Sequence, residues 1–195
     1  MEVIPEHIAF SFSGYVLPGK FHEARIHVYP VGEFTSSGEA ENTAVALRSL
    51  LDSGQLPPPG GGFEGATIPL LPSFNAGQLL HTQVAFINFQ NGQGVRFLTE
   101  YAQFYAPINN NDLFYTFQGL TNDGQYYVAA ILPVAHPSLP ADATQIPGGD
   151  PDAFANNYET YANGEALQLA GFDATEFTPS LALLDALIAS LQVTP

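Results

Sequence analysis

The hairpin built from LFYTFQGL and QYYVAAILPV, residues 113–134, is apolar on both of its faces. Side chains in a strand alternate between the two sides of the sheet. Leu113, Tyr115 and Phe117 therefore point one way, and Phe114, Thr116 and Leu120 the other. A sheet with one face in water does not need this pattern, so it calls for cover on both faces.

A second hairpin precedes it. TQVAFINFQ and VRFLTEY flank Asn91-Gly92-Gln93-Gly94, which reads as a tight turn. Nearer the start, HIAFSFSGYVLP sets Ile8, Phe10 and Phe12 against Ala9, Ser11 and Ser13, the pattern of a half-buried strand. After a Pro18-Gly19 turn, ARIHVYPV alternates Ala24, Ile26 and Val28 against Arg25, His27 and Tyr29, completing a third hairpin.

The covering layers are supplied by helices. SSGEAENTAVALRSLLDSG carries Ser36 and Glu39 at capping-box spacing, an apolar stripe of Ala40, Ala44, Leu47 and Leu51, and Gly54 at the C′ position. DPDAFANNYETYANGEALQLAG opens with Asp150 as N-cap and Pro151 at N1, and Gly164 is its candidate break. Thr178-Pro179 repeats the device ahead of a helix with Leu181, Leu184, Leu187, Ile188 and Leu191 at helical spacing. That helix is expected to dock on the sheet. Between the first helix and the central hairpins runs QLPPPGGGFEGATIPLLPS, residues 55–73, either a mobile excursion or a boundary between lobes. A Pro/Gly-rich loop is favoured, since the two strands before it cannot make a stable sheet alone, and it is expected to be the most protease-sensitive internal segment. The order is ββαββββαα, with no crossover unit and no internal repeat. It implies a single α+β domain over residues 1–195, with an antiparallel sheet of about six strands and helices packed on its faces.

Composition narrows the function. Charged residues make up 12% of the chain, about half the usual share. They are lopsided, with 19 acidic side chains against Lys20, Arg25, Arg48 and Arg96, for a formal charge of −15. Four scattered cations make no phosphate track, which argues against nucleic acid, and the acidic field repels anionic lipid. The chain has no cysteine, so disulfides, thiol catalysis and thiolate metal sites are excluded. No apolar run is long enough to span a membrane. MEVIPEH lacks a basic and then apolar leader, and Met1 is the only methionine, as in a mature exported chain placed behind a start codon. Few lysines and abundant Tyr, Asn, Gly and Pro point the same way, to an extracellular or cell-envelope location.

Motifs for chemistry are sparse. HEARIH spaces His22 and His27 at i, i+5, one residue longer than the zincin pair that shares a helix face. In a helix the two would diverge by about 140°. In a strand, odd spacing sends them to opposite faces, so no metal site is expected here. DPDAFANNYE offers oxygen atoms but puts Phe154 and Ala155 where a calcium loop needs a ligand and a glycine. Asn109–Asp112 and Thr121–Gly124 carry further oxygens, in residue types that turns also use. No nucleophile elbow, phosphate cradle or dinucleotide fingerprint is present, and no cofactor is implied. Arg96, Glu100, Tyr115, His81 and His136 are the remaining candidates. The turn at Asn91–Gly94 sets Arg96 and Glu100 on one strand face beside Phe89 and Ala85, roughly 13 Å apart along the strand. With Tyr115 they are candidate ligand-binding residues for a polar pocket, if that face is left partly open.

The block NGQGVRFLTEYAQFYAPINNNDLFYTFQGLTNDGQYYVAAILPVAHPSLP resembles a group of exported bacterial proteins and lipoproteins that carry no established activity. The succession of hairpin, helix, meander and a last helix reading LLDALIASLQV is similar to the Mog1/PsbP-like layout, from which the Pro/Gly loop and the helix after Asp150 depart. That resemblance implies an antiparallel sheet between helices and a non-catalytic role. The expected function is an exported domain that binds a protein or polysaccharide partner at the cell envelope. The alternative is a small-ligand-binding or hydrolase-like enzyme using Arg96, Glu100 and Tyr115.

Overall fold

The computed structural model describes residues 6–36 and 38–194, so the sequence reading of the amino-terminal MEVIP lies outside the described residues. The fold is α+β. One open antiparallel sheet of seven strands runs in the order β1-β2-β7-β6-β5-β4-β3. The strands are β1 (Ile8–Ser11), β2 (Arg25–Pro30), β3 (Gly60–Gly61), β4 (Gly77–Phe89), β5 (Gly92–Ala102), β6 (Phe114–Thr121) and β7 (Tyr126–Pro133). The helices are α1 (Glu39–Ser53), α2 (Pro151–Asn156), α3 (Tyr158–Ala170) and α4 (Leu181–Ala189). The seventh strand, beyond the six expected, is the two-residue β3, which pairs with β4 at Leu80 and His81.

The demand of the central hairpin is met by two cores. Leu113, Tyr115 and Phe117 join Leu98, Val128, Ala130 and Leu132 beneath Phe154, Tyr158, Leu169, Leu184 and Ile188 of α2–α4. Phe114 and Leu120 join Val95, Phe97, Tyr127 and Ala129 beneath Ala40, Ala44 and Leu47 of α1 and beneath Ile68, Leu70 and Leu71. A strand buried on both faces reads as a continuous apolar run, which is why β6 and β7 do so.

Several local expectations are corrected. β1 pairs with β2 as foreseen, but all four of its residues are exposed, because it is the sheet edge and extends beyond the helical cover. The turn between β4 and β5 is Gln90-Asn91, with Gly92 opposite Phe89, so Gly94 lies inside the strand opposite Ile87. Arg96 therefore faces Ala85 and not Phe89, and Glu100 faces Leu80 and not Ala85, the register being shifted further by irregularities at Gln78/Leu80 and Thr82/Ala85. Gln83 sits at the second of these with a φ of 53°, and its amide donates to the carbonyls of Leu169 and Phe172. The bulge thus aims a side chain at the carboxyl end of α3.

At α1, Gly38 is the N-cap and makes no side-chain cap, so the Ser36–Glu39 box does not form; Gly54 ends the helix with a φ of 61°. Asp150 does cap α2, accepting from the N–H groups of Asp152 and Ala153. The break comes at Asn157, whose amide donates back to the Ala153 carbonyl, and Gly164 is an ordinary helical position. The last helix starts at Leu181 behind Ser180, two residues later than expected. Thr178 exchanges backbone hydrogen bonds with Ala135 at 2.8 and 2.9 Å, and that bridge holds it extended.

The largest correction concerns residues 55–73. This segment is pinned along its length, not a free excursion. Gly61 donates to Asn163 Oδ1 and lies so close to α3 that a Cβ there would meet the Ala162 backbone at 2.5 Å. His81 Nε2 meets the Pro58 carbonyl at 2.9 Å, and Phe63 N–H donates to Glu159. Two buried glutamines hold the far end as a neighbouring strand would. Gln78 accepts from Ile68 N–H and donates to its carbonyl, and Gln118 does the same for Leu71 at 2.9 and 3.1 Å. The segment is continuously exposed at its start, Gln55–Leu56, and at its tip, residues 63–67.

Candidate functional site

Arg96, Glu100 and Tyr115 all face the α2–α4 layer, at 8%, 1% and 0% exposure. They form two clusters and not one. Tyr115 donates its hydroxyl to Asp185 of α4 at 3.0 Å, and Arg96 Nε lies 3.3 Å from the same carboxylate oxygen. That Nε–H is not aligned for a hydrogen bond, while Nη1 donates to the Gln83 carbonyl. Burial raises the carboxyl pKa of Asp185 and, more strongly, the hydroxyl pKa of Tyr115. Leu98 separates this cluster from Glu100 along β5.

Glu100 accepts from the backbone N–H and the side-chain amide of Asn109, each at 3.0 Å. Desolvation holds its carboxyl well above the usual range. The Asn109–Asp112 oxygens are also spent locally, since Asn109 Oδ1 accepts from the N–H groups of Asn111 and Asp112. Both clusters tie helices or loops to the sheet. Asp185→Ala should cost about 2–4 kcal/mol, because Arg96 is left buried and unpaired while Asp185 itself is 29% exposed. Urea titrations of Asp185→Ala, Arg96→Met and the double variant check this. The double variant should be more stable than Asp185→Ala alone.

His81 is consumed by Pro58, as described. His136 stacks on Phe172 at 3.9 Å, and its Nδ1 lies 2.7 Å from Ser138 Oγ. Nδ1 also accepts Ser138's own backbone N–H, so it is the unprotonated nitrogen and the contact closes a local turn.

Three neighbouring concavities gather instead around His22. This residue precedes β2, so strand parity does not govern it, and His22 and His27 line one groove, contrary to the opposite faces expected. An apolar slot of about 380 Å³ lies between Phe21, His22, Phe74, Tyr101 and Phe104, with Asn75, Gln103 and Asp112 among its polar lining residues. The His22 ring packs on Phe114 at 4.4 Å and on Phe74 at 5.1 Å, and burial lowers its pKa to about 4. Phe21 and Phe104 are 69% and 67% exposed. The adjoining groove, of about 480 Å³, lies over β2. Arg25, His27 and Tyr29 share one face of that strand and line it, with His7, Glu23, Pro72 and Ile131. α1 packs chiefly over β5 and β6, and the groove lies to its side, over β2.

The sequence reading did not single out this site. Its residues come from the Phe21–His22 bend, the end of the Pro/Gly segment and the stretch after β5, which only folding brings together. The exposed aromatic run Phe104-Tyr105 between strands was the one available signal. Among the described residues, no group of three or more His, Asp or Glu side chains is placed to hold a metal ion, and no helix is long and apolar enough to cross a membrane. The chain matches no protein-family model, no curated protein and no solved structure.

Proposed function

We propose that this protein is a non-catalytic, exported domain that binds a partner polypeptide at the cell envelope, and that the slot beside His22 is its docking point. The slot carries the reading. Large aromatic side chains left in water around an apolar recess are the feature that anchors a partner's side chain at a protein interface. Phe21 and Phe104 stand at the rim, and Asn75, Gln103 and Asp112 supply the polar contacts that orient what enters. The alternative, an enzyme working through Arg96, Glu100 and Tyr115, needs side chains open to substrate, whereas these three are spent on Asp185 and Asn109. The envelope location is supported by composition: few lysines and abundant Tyr, Asn, Gly and Pro.

A photo-cross-linking residue in place of Phe104 should capture one discrete protein in the source cells. The same group in place of Leu183, equally exposed on α4 but remote from the slot, should not. Purified partner should bind Phe104→Ala at least tenfold more weakly, with the melting temperature unchanged. Equal cross-linking from both positions would defeat the reading.

A further inference from the structure

The floor of the groove over β2 holds two polar atoms that the protein leaves unused. His27 Nδ1 and Tyr29 Oη are buried and have no hydrogen-bond partner. Their side chains are 8% and 1% exposed, and both line the groove. Buried polar groups are almost always paired, so an orphaned pair on the floor of one concavity calls for a cause. We propose that this groove binds an uncharged, polyhydroxylated ligand, a sugar unit, whose hydroxyls pair with His27 and Tyr29.

The chemistry of the two atoms selects the ligand. The phenol of Tyr29 offers a proton, and neutral His27 presents an imidazole nitrogen, both held in those forms by burial. A hydroxyl accepts from the first and donates to the second, so one hydroxyl, or two on neighbouring carbons, serves both. A hydroxyl suits His27 Nδ1 in either neutral tautomer, whereas a carboxylate pairs with it only when Nδ1 carries the proton. An ammonium would enter beside Arg25. The charges at the groove cancel, because Arg25 is paired with Glu23, and that pair still presents both donors and acceptors. Phe21 supplies an exposed apolar ring for the C–H face of a sugar, a platform that does not require tryptophan. The volume of about 480 Å³ is in the range of small-molecule sites. The ring of His7 now packs 4.5 Å from Tyr29 and 5.0 Å from His27, so ligand entry shifts His7.

This inference uses the groove, which shares Phe21 and His22 with the slot but not Phe104, and it does not depend on the polypeptide reading. It is tested on the full chain by titrating glucose, galactose, mannose and N-acetylglucosamine, and a short oligomer of each, while following the histidine and tyrosine ring resonances by NMR. Saturable shifts of His27 and Tyr29 with at least one sugar are expected. Tyr29→Phe, which removes only an unpartnered hydroxyl and should fold normally, should weaken binding at least tenfold. Phe104→Ala should leave it unchanged even if that variant loses its protein partner. Tighter binding of an oligomer than of its monomer assigns the ligand to a glycan, and equal binding assigns it to a free sugar; both support the proposal. Absence of saturable shifts with every sugar would overturn it. So would binding unaffected by Tyr29→Phe, or saturation by acetate or methylammonium alone.

Discussion

Deleting every residue after Thr178 should abolish the cooperative thermal transition and leave an aggregation-prone chain. Leu181, Leu184 and Ile188 of α4 are buried in the same core as Tyr115, Phe117 and Val128. Each such side chain is worth roughly 1.5–3 kcal/mol, so the three together contribute about 5–9 kcal/mol. A domain's whole stability is about 5–15 kcal/mol. The deletion also strips Asp185 from Arg96, leaving a buried cation without its partner. Beyond the helix, the Leu191 carbonyl accepts from Gln90 N–H, and Val193 exchanges two hydrogen bonds with the Asn91 amide; these would be lost as well. Single variants grade the effect. Leu184→Ala should cost about 2–5 kcal/mol. Leu187→Ala, half-buried, should cost less, and Leu183→Ala, 69% exposed, should stay within about 0.5 kcal/mol of the parent. If α4 were instead a detachable docking element, the truncated chain would melt at an unchanged midpoint. Circular dichroism melts of the four proteins decide between the two.

Gln118→Leu should destabilise the protein by about 3–5 kcal/mol, well beyond what a surface glutamine allows. The side chain is fully buried on β6. Its Oε1 accepts from Leu71 N–H and from the Tyr127 hydroxyl, at 2.9 and 2.7 Å. Its Nε2 donates to the Leu71 carbonyl and to Thr116 Oγ1. Leucine matches the size but satisfies none of them, so three or more buried groups lose their partner at about 1–3 kcal/mol each, less whatever the site recovers by relaxing. For a chain of this length the loss lowers the melting temperature by roughly 6–20 °C. Cleavage within residues 63–73 should also accelerate, because Leu71 is no longer tied to the sheet. A midpoint within a degree of the parent would show that the 55–73 segment contributes nothing to the core.

The contrast between these two predictions shows what a linear reading can reach. The leucines of α4 recur at helical spacing, and their burial follows from periodicity alone, which is a local property. Gln118 sits in a strand among aromatic residues, and nothing in its neighbours indicates that it will hold a backbone segment 47 residues away. Pro and Gly in residues 55–73 limit that segment's ladder pairing to the two residues of β3. Its order comes instead from Gln78, Gln118, Asn163 and Glu159, which are remote in sequence.

The same division holds for the candidate sites. Strand parity correctly set Arg96 and Glu100 on one face, because alternation is covalent geometry. It could not tell that Asp185 and Asn109 would claim them, since those partners arrive from a later helix and from the loop after β5. His22 and His27 show the reverse case. Their spacing argued for opposite faces, yet the strand begins only at Arg25, so the bend at His22 was free to turn its ring toward the same groove. The amino-acid sequence by itself determined an α+β chain with a sheet covered on both sides, because two-faced apolar strands and amphipathic helices are written in residues close together. Only the tertiary structure decided which edge of that sheet stayed uncovered. That depends on where α1 comes to rest, which is chiefly over β5 and β6, with the groove to its side over β2.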